Sequence, residues 1–345
     1  MRALLFHGRS RLTVGEVETP RPGPGQALVR IESVGICKSD IYGYSGLNQR
    51  RDEVLAPGGT LVMGHEPVGF VDALGPGTEG PAAGTAVAID PIEGCGECEF
   101  CRGGETNACA GRRVYGCMPA APGGFAEAMV VPVANLVPLS GERPLEWGSL
   151  VEPLTVGEHG VRLAGIGAGS PVLVLGGGII GLGAALGARR RGAEVVVAEP
   201  LPGRRRVAES LGLATADPDA VAAAGASFEF ALDCVARPQT IATAVAATGR
   251  KGTVVVIGIW ADEVAFPVSR LVENETRILG SFAYTHQDFV NVADWIDSTD
   301  LDLAPLIELT VGFDGVIGAF ERYADGSLDA IRTVFRPAGG SGGDA

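Results

Sequence analysis

"VLVLGGGIIGLG" (172–183) runs from four aliphatic residues directly into glycines that include Gly176, Gly178 and Gly181, the spacing G-x-G-x-x-G. The aliphatic run is short, rich in valine and bounded by glycine, so it reads as a buried strand. "IIGLGAALGARRRGA" (179–193) then reads as a helix and "EVVVAE" (194–199) as a second strand. In such a strand–turn–helix each glycine has a separate task. The first permits a tight turn, the second lets the backbone approach a pyrophosphate, and the third lets helix and strand pack closely. The pyrophosphate would rest on the helix N-terminus, which Ile179 and Ile180 open. With 52 glycines in the chain, the pattern alone is weak, and its context is what raises it. Glu199 closes the second strand at the distance where an acidic residue meets the adenosine ribose. A carboxylate there accepts from the ribose hydroxyls and repels a 2′-phosphate, which favours NAD. Arg204, Arg205 and Arg206 pull toward NADP, because an arginine beside the ribose could hold that phosphate.

Val172 to Ala188 is uncharged and precedes three arginines, so a membrane span is a competing reading. The segment is short for a span and dense in glycine. The N-terminus shows no apolar run with a cleavage site. Together these imply a cytoplasmic protein with no membrane partner, whose seven cysteines are not a disulfide framework. A formal charge of −14 argues against a nucleic-acid partner.

At 345 residues the chain is long for one core, and its rhythm changes near residue 153. Before that point "ALVRIESVGI" (27–36) alternates Val29 and Ile31 with Arg30 and Glu32, a half-buried strand. Pro and Gly recur in "PRPGPGQ" (20–26) and similar stretches, so this part reads as irregular and mainly β. After it, strands "FEFALD" (228–233) and "GTVVVIG" (252–258) alternate with helices "GRRRVAESLG" (203–212) and "PQTIATAVAATG" (238–249). That alternation implies βαβ units and a doubly wound parallel sheet in an α/β chain. "FDGVIGAFERY" (313–323) has helical spacing, "RTVF" (332–335) reads as a last strand, and "PAGGSGGDA" (337–345) as a disordered end.

Cys95, Cys98, Cys101 and Cys109 follow the spacing C-x2-C-x2-C-x7-C among glycines. Four thiolates wrap zinc tetrahedrally and leave no open position, which makes such a site structural. An iron–sulfur cluster begins with the same spacing, but the x7 gap and the lack of a following Cys-Pro disfavour it. A redox pair is the other alternative. Cys37 in "GICKSD" (35–40), His65 and Glu66 in "MGHEPVG" (63–69), and Glu152 in "LVEPLTVGEH" (150–159) could hold a second zinc with a position left open. Taken singly, each has a plainer reading as a core thiol or a solvated polar pair.

These motifs, in this order with "GGFAE" (123–127) and "VLGGGIIGLG" (174–183), resemble the zinc-containing medium-chain dehydrogenases. Within them the chain is most similar to the polyol (sorbitol-type) and threonine dehydrogenase branch. The resemblance spans nearly the whole chain. It implies a GroES-like catalytic domain over 1–152, with 286–345 returning to it, and a Rossmann domain over 153–285. It further implies a catalytic zinc on Cys37, His65, Glu66 and Glu152 and a structural zinc on the four-cysteine loop. Ser39 matches the hydroxyl that bonds the substrate oxygen, and Asp40 a carboxylate that orients the histidine ligand. Lys38 falls near the cofactor pyrophosphate. One position departs from the family: Tyr42 stands where a proton-relaying histidine is frequent, and its higher pKa makes it a poorer base. The implied reaction moves a hydride between NAD, or NADP, and a secondary alcohol of a polyol, cyclitol, sugar or amino alcohol, in a homo-oligomer. An aldose 1-dehydrogenase or another zinc alcohol dehydrogenase is the alternative, and a non-catalytic NAD-binding protein a further one. The loops "YGYSGLNQRRDEVL" (42–55) and "RRVYGCMPAAPGG" (112–124) are expected to choose the substrate.

Overall fold

β3 (Gln26–Gly35) carries the alternation through, with Ala27, Val29 and Ile31 buried while Arg30 is exposed. It is the hub of one of the two units into which the chain divides. The computed structural model describes residues 1–47, 55, 58–225, 227–259, 263–266 and 268–339. Positions 48–54 of the first substrate loop and 340–345 of the expected disordered end lie outside the described residues.

The first unit comprises Met1–Glu152, Phe289–Asp300 and Ile307–Ala345. Its small sheet joins β1 (Arg2–Phe6) to β2 (Leu12–Glu16) and β4 (Leu61–Val62). The larger sheet has the order β10-β6-β5-β3-β18-β17. Its strands are β5 (Pro67–Leu74), β6 (Ala86–Ile89), β10 (Leu136–Pro138), β17 (Leu309–Val311) and β18 (Thr333–Phe335), with β9 (Ala128–Pro132) also paired to β3. A ribbon of β7 (Ile92–Glu93) and β8 (Arg113–Val114) brackets the cysteine loop. The chain end thus returns to the N-terminal sheet: β18 pairs antiparallel with β3, setting Val334 opposite Gly35 and Phe335 opposite Val34. Edge-to-face rings seal the core there, with Phe125 against Phe320 at 5.9 Å and against Phe335 at 5.7 Å.

The stretch after β3 holds a helix, α1 (Lys38–Ser45), in a part of the sequence read as irregular β. Its glycine and tyrosines are poor helix formers, so local capping carries it. Cys37 is extended at the N-cap, and Asp40 accepts from the Cys37 N–H at 3.2 Å.

The second unit, Pro153–Asp288 with Leu301–Leu306, is a six-stranded sheet in the order β13-β12-β11-β14-β15-β16, every pairing parallel. Its strands are β11 (Pro171–Leu175), β12 (Glu194–Ala198), β13 (Ala214–Ala216), β14 (Phe228–Asp233), β15 (Thr248–Val256) and β16 (Arg277–Gly280). The chain winds outward from β11 through β12 to β13, then restarts at β14 on the other side. The order therefore reverses between β11 and β14, the switch point where doubly wound sheets bind ligands at their strand C-termini. β15 begins four residues before the stretch expected from the sequence. The extra residues form an irregularity opposite Phe228 and Phe230, where Lys251 adopts φ +61°. The competing membrane reading fails because 172–188 divides into strand, turn and helix. Among the described residues no helix is long and apolar enough to cross a membrane.

Gly181 lies where the helix Ile179–Arg190 crosses β11, and a Cβ there would sit 1.8 Å from the Gly176 carbonyl oxygen. Gly181→Ala is therefore expected to cost ~1–3 kcal/mol in chemical denaturation. Gly167→Ala, whose Cβ would meet nothing within 4 Å, should be close to neutral.

Candidate functional site

Cys37 closes the turn between β3 and α1, and His65 and Glu66 lie just before β5, which pairs with β3. The pairing brings the ligand atoms of Cys37, His65 and Glu66 within 4.8 Å of one another. Asp40, fully buried, sits 3.4 Å from His65 Nδ1 through one oxygen and accepts from the Cys37 N–H through the other. This leaves His65 Nε2 facing Ser39, whose Oγ is 3.4 Å away. Lys38 is exposed and Tyr42 half-buried; the two stand four residues apart on α1, on one face of the helix.

Burial alone would raise the Cys37 thiol, but the neighbouring His65 and then Arg332 bring its pKa down to about 6. Burial likewise opposes the His65 charge, yet Asp40, Cys117 and Cys37 hold its pKa well above the ordinary value. Burial pushes Glu66 well above the carboxylate range, against the pull of Arg332. A thiol primed as thiolate, an imidazole and a buried carboxylate form a donor set that suits zinc. Glu152, in the first turn of the helix Val151–Ala164, stands outside this cluster, near enough for its charge to act on both Glu66 and Arg332.

Three participants were not found by reading the sequence. Arg332 lies beside Glu66 at 3.0 Å, both almost wholly buried, and donates to the Ile36 carbonyl at 2.7 Å across 296 positions. Cys117 bears electrostatically on His65. Gly35 leaves the space that Glu66 fills, since a Cβ there would sit 1.9 Å from Glu66 Oε2. No local motif marks their part: Gly35 lies two residues from Cys37, Cys117 in the turn after β8, and strand pairing brings Arg332 across from the chain end.

The four-cysteine loop converges too. The sulfurs of Cys95, Cys98, Cys101 and Cys109 lie within 4.8 Å of one another, and Cys95 and Cys101 are 3.9 Å apart. That is far longer than a disulfide and close to the edge, about 3.8 Å, of a tetrahedron with 2.3 Å bonds to zinc. Backbone amides of Glu97 and Cys98 lower the Cys95 thiol to about 6, the state a metal needs. At Gly94 a Cβ would lie 2.6 Å from Cys101 Sγ, so the loop closes on its thiols only with glycine there.

In the second unit, Gly176 adopts φ +102°, and a Cβ on it would press to 2.7 Å on Val235. Gly178 caps the helix without a side-chain bond, and the nearest atom to a Cβ there is Arg204 Nη1, at 3.8 Å. The surface at Gly178 is thus open to an approaching phosphate. Ile179 and Ile180 begin the helix, where the first amides have no intrahelical acceptor. Glu199 is buried and anchored, accepting from the Gly177 N–H at 2.7 Å and the Leu201 N–H at 2.9 Å. Each of its oxygens keeps a second lone pair for a ribose hydroxyl. Arg205 turns to the carbonyls of Glu199 and Pro200 and to Asp217, so of these two arginines Arg204 is the one beside the glycine turn.

Residues 23–141 match the alcohol dehydrogenase GroES-like domain, and residues 180–298 the zinc-binding dehydrogenase domain. The chain is 36% identical to L-galactonate-5-dehydrogenase of Escherichia coli (strain K12), covering 97% of this chain and 98% of that protein. It is 31% identical to L-idonate 5-dehydrogenase of Vitis vinifera, covering 92% and 89%. Among solved structures it superposes with TM-score 0.89 on a zinc-binding dehydrogenase from Sinorhizobium meliloti 1021 bound to NADP, at 29% identity over 97% and 99%.

The lowered Cys37 thiol has a direct chemical readout. In metal-free protein its alkylation by iodoacetamide, followed by peptide mass spectrometry, should rise through about pH 6 and level off by about pH 7. An ordinary thiol is still gaining thiolate above pH 8, and such a profile at Cys37 would contradict the geometry.

Proposed function

The chain belongs to the zinc-binding alcohol dehydrogenase family of oxidoreductases, and from that premise we propose that Cys37, His65 and Glu66 hold its catalytic zinc. Cys95, Cys98, Cys101 and Cys109 hold the structural one. The reading rests on one observation above all: three metal-donor atoms converge, and Ser39 Oγ stands beside the ligating edge of His65.

Bound at that centre, zinc supplies Lewis acidity that lowers the pKa of an alcohol oxygen. The nicotinamide of NAD supplies the hydride acceptor. The chain's own residues do the rest. Asp40 fixes the His65 ring through Nδ1, so the imidazole presents Nε2 without rotating. Ser39 Oγ accepts the proton that the alcohol gives up, and Tyr42, one helical turn further along α1, offers a hydroxyl for its passage outward. Burial of Asp40, His65 and Glu66 excludes water from the rear of the centre, which strengthens each electrostatic contact there. Gly176, Gly178, Gly181, Ile179 and Ile180 seat the pyrophosphate, and Glu199 takes the adenosine ribose, favouring NAD. Arg204, whose Nη1 lies beside Gly178, offers a cation that could take a 2′-phosphate, so NADP is the second cofactor.

The substrate we assign is a secondary alcohol on a polyhydroxylated molecule, a polyol or a sugar acid, in keeping with the galactonate and idonate named for its relatives. The setting is cytoplasmic, as suits seven cysteines that form no disulfide. Self-association is supported by β16, an edge strand of its sheet, and by the exposed apolar residues Ile259, Val268 and Val272 in the segments before it.

Metal analysis of protein purified without added zinc should give two zincs per chain, with NAD reduction on a panel of polyols and aldonates. Cys37→Ser should abolish turnover and remove one zinc while leaving NAD binding within about twofold by calorimetry. Full activity of that variant would sink the mechanism. Light scattering should return a multiple of the 35.3 kDa chain mass; a monomer at working concentration would remove the self-association.

A further inference from the structure

We propose that a cavity in the first unit, lined by the turn after β8, by β9 and by the segment that enters β3, is a second ligand site that takes a small carboxylate with a flat apolar body. None of Cys37, His65 or Glu66 lines it, so the site stands apart from the zinc reading.

The cavity measures about 240 Å³. Val62, Pro122, Ala126, Met129 and Val130 give it apolar walls, with Tyr115 among them. An apolar cavity of roughly 150 Å³ already admits benzene, so this one has room for a ring and a carboxylate. The walls are firmly held. Tyr115 is 5% exposed, and its hydroxyl donates to Glu93 at 3.1 Å, which fixes the ring. The Gly123 N–H donates to the Val62 carbonyl at 2.8 Å, so the backbone there is already paired. Val62 ends β4, whose chain continues into His65, and an occupant would touch the segment that carries a metal donor.

The polar groups that line the cavity offer donors and lack an acid. Arg113 is committed to Glu93 at 2.7 Å. Gln26 Oε1 accepts from the Gly23 N–H at 2.9 Å, which orients the carboxamide and leaves Nε2 to donate. Arg21 has no ion-pair or hydrogen-bond partner among the described residues, and no Asp or Glu side chain lines the cavity. In a chain of formal charge −14 the overall field repels anions. An arginine without a neighbouring acid, set at the mouth of apolar walls, is where one anion can still be held. Arg21 and Gln26 Nε2 supply charge-assisted and neutral donors to a single carboxylate, and the ring rests on Tyr115 and Met129. A polyol or sugar acid fits poorly, because its hydroxyls would meet apolar walls without partners. The ligand therefore belongs to another class than the substrate.

The test uses full-length, zinc-loaded enzyme and benzoate as the probe, followed by saturation-transfer NMR. Wild type should bind benzoate saturably, with a Kd on the order of 1 mM or tighter. Benzamide, of the same shape without the charge, should bind about tenfold more weakly. Arg21→Met should weaken benzoate binding about tenfold or more, and Arg21→Lys, which keeps the charge without the fork, should fall between. Arg21 is exposed, so these variants should keep the fold and the turnover of wild type. Cys37→Ser should bind benzoate as wild type does. No saturable binding, or binding by Arg21→Met within about twofold of wild type, overturns the proposal. Benzoate binding lost in Cys37→Ser and kept in Arg21→Met would place the probe at the metal centre and overturn it equally. None of these failures touches the zinc reading, which metal analysis tests on its own.

Discussion

The Glu66–Arg332 pair is the contact on which the first unit turns. Desolvating a carboxylate and a guanidinium costs several kcal/mol each, and only mutual attraction with further hydrogen bonds offsets it. The protein meets that condition by assembling three distant segments at one point. Gly35 ends the central strand with Ile36 directly after it, His65 and Glu66 precede its neighbour, and Arg332 leads into the strand that returns from the chain end. Cys37 follows directly from that junction, so its thiol is placed by the same contacts that neutralise the buried charges. Removing the last strand would therefore strip the centre of its counter-ion as well as open a sheet.

A steric constraint plays the corresponding part in the second unit. The glycines after β11 serve by lacking a side chain. A Cβ at Gly181 would collide with the Gly176 carbonyl and one at Gly176 with Val235, whereas at Gly178 the space stays open. Two of the glycines allow the helix to pack on the strand, and the third leaves the surface that a pyrophosphate can reach. Glu199 ties the turn to the next strand through the Gly177 amide, so the residue that would read the ribose also holds the phosphate loop in shape. The cysteine lobe applies a related economy: Gly94 makes room for a sulfur, and backbone amides lower the Cys95 thiol.

Much of this was legible in the order of residues. Period-two alternation located β3, and the strand–helix alternation after residue 153 foretold a parallel sheet. The glycine spacing with Glu199 pointed to a dinucleotide, and four cysteines within fifteen positions to a closed metal site. These are local signals, written within one turn, one strand or one loop. The helix α1 was hidden because its residues are weak helix formers and its start depends on a cap at Cys37 and Asp40. The early start of β15 was hidden by an irregularity in pairing that no residue pattern announces.

By itself, then, the sequence determined the class of fold and singled out the glycine turn and a set of candidate metal donors, because strand period, turn chemistry and ligand type are properties of neighbouring residues. Only the tertiary structure decided which groups those donors face. Arg332 stands 296 positions from Ile36 and carries no motif, and Gly35 looks like any strand glycine until the Glu66 carboxylate is seen above it. Charge balance and close packing at a buried site are set by strands that pair across the whole chain, and no local window contains them.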